Sequence, residues 1–145
     1  MNTKRLFIIC FSLLSVKVSG QTPLNVSYYL NNREISKTAK DFYNNKFSES
    51  DDKKTLSIID SLKTRNSLTR PFYIYLVSRM MRKSDGALSE VLGIACKNFI
   101  ESHPDYAFDF LFSASRMTNQ GFIDSWAESV AGEFQIDCEG KEKNA

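Results

Sequence analysis

The chain is poor in the residues that most often carry chemistry. Its 145 residues include one histidine, His103, with three cysteines, three prolines, six glycines and one tryptophan. A single imidazole excludes the multi-histidine ligand sets of many zinc sites and any relay that needs a second histidine. Cys96 stands seven residues before His103. On one helix the two would lie about 10 Å apart, too far to share a zinc ion or to form a thiol–imidazole pair, which needs contact at about 3 Å. There is no Cys-x-x-Cys, no phosphate-cradling glycine loop and no Gly-x-Ser-x-Gly elbow. No metal and no cofactor is therefore assigned to the chain.

Long apolar runs are also missing. Leu6-Phe7-Ile8-Ile9-Cys10-Phe11-Ser12-Leu13-Leu14 is too short to cross a bilayer, which takes roughly 20 apolar residues. It follows Lys4 and Arg5 and precedes the small residues Ser19 and Gly20, with polar Gln21 and Thr22 beyond. Charged start, short apolar run and small-residue site are the order of a cleavable secretory signal peptide over 1–20. Lys17 sits unusually close to the cut, and Cys10 lies too early to be a lipid-attachment cysteine. The expectation is export, to a periplasm or out of the cell, with cleavage near Gly20–Gln21.

Cleavage changes the bulk numbers. The full chain has 19 basic and 17 acidic residues, net +2; without Lys4, Arg5 and Lys17 the balance becomes −1. The basic character thus belongs to the leader and gives no reason to expect nucleic acid as a partner. The remaining 125 residues suit one domain that can bury a core without staples. Cys96 and Cys138 are then the two thiols left. In an oxidising compartment they could form one bridge, stabilising by about 3–4 kcal/mol in the chain-entropy model; two separate thiols are the alternative.

The apolar pattern of the mature chain is helical. Residues 21–32, rich in Asn and Ser, read as a flexible lead-in with a few ordered residues near Tyr28–Leu30. Ile35, Ala39, Phe42 and Tyr43 predict a first helix, and Leu56, Ile59 and Leu62 a second after the acidic break 48–52. Phe72-Tyr73-Ile74-Tyr75-Leu76-Val77 has the composition of a buried strand. Pro71 in a first turn and the continuing positions Leu76, Met80 and Met81 favour helix there instead. Leu88, Val91, Leu92, Ala95, Phe99 and Ile100 give the strongest periodic signal, with Asp85 as its cap. Pro104 opens a fifth helix along Tyr106, Ala107, Phe110 and Leu111, and Phe122, Trp126, Val130 and Phe134 mark a sixth. The predicted fold is all-α: about six short helices over 33–138, in an irregular bundle or a short stack of antiparallel hairpins, followed by a charged, frayed tail at 139–145. A strand at 72–77 in an α+β fold is the minor alternative. No internal repeat with a consensus is present.

Two features bear on function. Asp105 and Asp109, like Asp124 and Glu128, are spaced four apart on predicted helices and could present paired acids to a substrate, as a hydrolase would. Such pairs more commonly sit on solvated faces. The other feature is charge segregation. From Lys53 to Lys83 eight bases face one acid, net +7; from Asp85 to Asp137 nine acids face two bases, net −7. Opposite halves can attract and help the domain fold, or a basic half can dock an acidic protein or another anionic ligand. The expectation is an exported, non-catalytic helical protein that acts by binding, with Arg70, Arg79, Arg82 and Lys83 as the docking charges. A hydrolase built on the paired carboxylates, or a structural envelope protein, stands as the alternative.

Overall fold

The computed structural model describes residues 24–118 and 121–142, so the leader at 1–20 lies outside the described residues. Among them are seven α-helices, a short 3-10 turn and no strand. None of these helices is long and apolar enough to cross a membrane.

The predicted lead-in contains a helix. α1 (Val26–Asn31) is capped by Asn25, whose side chain accepts from the Tyr28 N–H. Tyr29 is buried and stacks on Phe72 with ring centroids 5.2 Å apart. That contact, across 43 residues of sequence, anchors a segment whose local composition gives no periodic signal. α2 (Lys37–Tyr43) is shorter than the span of the apolar pattern. Ser36 caps it, and left-handed Asn45 (φ 55°) ends the turn behind it. Asp52 caps α3 (Lys53–Asp60) by accepting from the N–H groups of Lys54 and Thr55, and the 3-10 turn Ser61–Lys63 continues it.

α4 (Arg70–Met81) is the segment with strand-like composition. Pro71 suits its first turn, and Phe72, Tyr73, Ile74, Leu76, Val77, Ser78 and Met80 are buried on almost every side. A helix apolar all round belongs in the middle of a bundle, and α4 touches α2, α3, α5 and α7. Central burial, not sheet pairing, explains the β-branched and aromatic content. α5 (Gly86–Ser102) follows, although the Asp85 side chain makes no capping hydrogen bond. α6 (Pro104–Thr118) and α7 (Phe122–Glu142) complete the fold. α7 runs on through 139–142, which the sequence pattern assigns to a frayed tail; residues 143–145 lie outside the description.

α5 and α7 form the most extensive helix pair. Glu133 of α7 lies over Gly93 of α5, and a Cβ there, 2.7 Å from Glu133 Oε1, would make that side chain move aside. Trp126 of α7 is buried against this layout: its indole N–H donates to Ser78 Oγ at 2.8 Å, and Ser78 in turn donates to the Ile74 carbonyl.

Candidate binding groove

The four basic residues expected to dock a partner do not form one patch. Arg70 and Arg82 stand at opposite ends of α4, about 18 Å apart along its axis. Arg70 is half-buried; its guanidinium donates to the Thr64 carbonyl at 2.9 and 3.2 Å and lies over the Tyr106 ring at 5.2 Å. Arg79 donates to the Tyr43 carbonyl at 3.3 Å and to Asn45 Oδ1 at 3.1 Å, and covers the rings of Phe42 and Tyr43. Both arginines are thus engaged in joining helices. Arg82 and Lys83 are exposed at the end of α4. The ion pairs described, Lys37–Asp41, Lys46–Asp41, Lys63–Asp60 and Lys97–Glu101, join residues three to five apart and do not link the basic half to the acidic half.

The paired carboxylates are exposed as well, Asp105 and Asp109 on α6 and Asp124 and Glu128 on α7. Among the described residues no cluster of three or more His, Cys, Asp or Glu could hold a metal ion. Cys96 is a free, buried thiol whose Sγ lies 3.8 Å from Met81 Sδ, and burial pushes its pKa up. It is a packing residue in this setting, since the thiolate is the reactive form. The Cys138 side chain lies outside the described residues, and with it the partner half of the expected bridge.

The structure instead forms a groove between two elements that the sequence could not pair. It measures about 750 Å³ and runs between α3 with its 3-10 turn and the outer face of α5. Its apolar wall is Leu56, Ile59 and Leu62 on one side and Val91, Ile94, Ala95 and Phe99 on the other. Leu56 and Ile94, 36% and 45% exposed, keep apolar surface in contact with water. Ile94 falls off the core stripe of α5, and an apolar residue off the stripe was the only sign of this surface in the sequence.

The groove has a polar end. Arg70 bonds the carbonyl directly after the 3-10 turn and covers Tyr106 in the first turn of α6. It therefore brings the end of the α3 unit beside the α5–α6 junction, so that Asp60, Lys63, Ser102 and His103 share one end of the lining while Leu56 and Val91 share the other. At the polar end Lys63 Nζ and Asp60 Oδ1 are 2.6 Å apart. His103 caps α5 as Pro104 requires, its N–H reaching the Phe99 and Ile100 carbonyls. Its ring stacks on Phe99 with centroids 5.2 Å apart, and its Nδ1 is buried without a hydrogen-bond partner.

No protein-family model, no curated protein and no solved structure matches the chain.

Proposed function

We propose that the protein is exported and works by binding, holding an elongated apolar ligand in the groove between α3 and α5. The observation that carries this reading is the groove itself. Its volume of about 750 Å³ lies in the range of small-molecule sites, and such sites combine mostly apolar walls with a few convergent polar groups. Export rests on the order of charges, apolar run and small residues in 1–20. The basic stretch is the weaker docking surface, because Arg70 and Arg79 are already engaged within the fold.

The test is uptake of Nile red, an uncharged apolar dye whose emission rises in a dry site. The purified mature chain should bind it saturably. Leu56→Glu and Ile94→Glu should each weaken uptake by about tenfold or more, since each places a charge in the apolar wall, and should leave the melting temperature close to wild type because both positions are part-exposed. Charge reversal at Arg82 and Lys83 should leave uptake unchanged. Equal uptake by Ile94→Glu and wild type would reject the groove, and loss of capture of an anionic partner on reversing Arg82 and Lys83 would return function to the basic surface.

A further inference from the structure

The groove reading leaves open which chemistry the ligand carries at the polar end. The geometry points to a linear amphipath with an uncharged, hydrogen-bonding head, its chain lying along Leu56, Val91 and Ile94 and its head beside His103. This inference rests on the groove being the binding site.

Three observations carry it. Polarity changes along the lining: from Val91 to His103 spans about 18 Å of helix axis, apolar at the first end and polar at the second. Charge at the polar end is balanced, because Lys63 is paired with Asp60 at 2.6 Å. A carboxylate head would share Lys63 with Asp60 and lie near that like charge, and a cationic head would lie near Lys63. An uncharged head meets neither penalty, and groups that donate and accept surround it.

The third observation is His103. A buried nitrogen without a partner costs stability that a hydrocarbon ring in the same place would not. Burying an unpaired N–H at Nδ1 would add to that cost, which favours the tautomer with its proton on Nε2. With Nδ1 turned into the protein and the ring lining the groove, the Nε2–H edge is the donor left for a head-group oxygen. Phe99 fixes the ring plane by stacking.

The experiment compares three ligands with the same chain, monolaurin (uncharged), laurate (anionic) and dodecyltrimethylammonium (cationic), each below its micelle concentration, by displacement of Nile red. Monolaurin should bind at least about tenfold tighter than either charged ligand. His103→Phe keeps a ring on Phe99 and removes the donor; it should weaken monolaurin by about tenfold and so erase its preference over laurate, a ratio that a general change in groove packing would not move. Laurate or the ammonium binding as tightly as monolaurin, none of the three displacing bound dye, or His103→Phe leaving monolaurin affinity intact would each overturn the head-group assignment with the groove reading standing. Failure of wild type to take up Nile red would overturn both.

Discussion

Trp126 is fully buried with its indole N–H on Ser78 Oγ, and that hydroxyl has its own acceptor in the Ile74 carbonyl. Ser78→Ala removes the acceptor and leaves a buried N–H unpaired, which costs about 1–3 kcal/mol. In a Trp126→Phe background the same change should cost little, so a double-mutant cycle on thermal or urea unfolding should show clear coupling; additive losses would mean that the bond carries no stability. Cys96 offers a second residue-scale test. Burial raises its thiol pKa and shields it, so it should resist alkylation in the native protein at pH 8 and react fully in denaturant, read by intact mass. Neither burial depends on long-range surprises: Trp126 and Phe122 sit on a four-residue repeat, and Cys96 stands between Leu92 and Phe99 on the stripe of α5. Their places in the core could be read from spacing. The partner of Trp126 could not, because Ser78 is a polar residue inside an apolar run and its neighbour lies 48 residues away.

Helices were legible to the extent that their apolar stripes repeat. α5 runs from Gly86 to Ser102 where the strongest periodicity and Pro104 place it, whereas α1 has one buried residue and depends on a distant ring. The same distance hides the role of Arg79. Its hydrogen-bond partners, Tyr43 and Asn45, lie 36 and 34 residues earlier, so sequence shows a free cation where the structure has a clasp between α4 and the end of α2. Arg79→Ala should cost about 2 kcal/mol through lost charged hydrogen bonds and ring contacts, while Arg82→Ala should shift the melting temperature little; equal effects would refute the clasp. α2 carries its own pH-dependent tie. Asp41 bonds both Lys37 and Lys46, and those hydrogen bonds lower its pKa from 3.8 to about 2. A carboxyl with a depressed folded-state pKa contributes stability that is full above its unfolded value and lost as pH falls through the folded one. The melting-temperature gap between wild type and Asp41→Asn should therefore be complete above pH 4 and shrink as pH falls towards 2. A gap that stays constant over that window would show that the two lysines do not hold the carboxylate.

At the scale of the whole molecule, helix faces and helix order do not determine which surfaces remain uncovered. Leu56, Ile59 and Leu62 read as an ordinary core stripe, and within the assembled bundle that stripe is only partly covered: Leu62 and Ile59 are buried, Leu56 stays at the rim. The groove lies where the α3 unit and α5, each in contact with α4 and with one another, leave Leu56 and Ile94 part-exposed, a consequence of three-body packing that no local pattern records. A ligand filling it would bind the folded state and not the unfolded chain, and so would stabilise the fold. For one site the gain is about 2.7 kcal/mol at a ligand concentration a hundredfold above Kd. In a domain of this size that corresponds to a rise of roughly 10 °C in melting temperature. Thermal melts with monolaurin should show that rise in wild type and lose it in Ile94→Glu, whose own melting temperature without ligand should match wild type. A rise of equal size in both proteins would place the ligand elsewhere on the bundle, and no rise in wild type at saturating ligand would show that the groove is not its site.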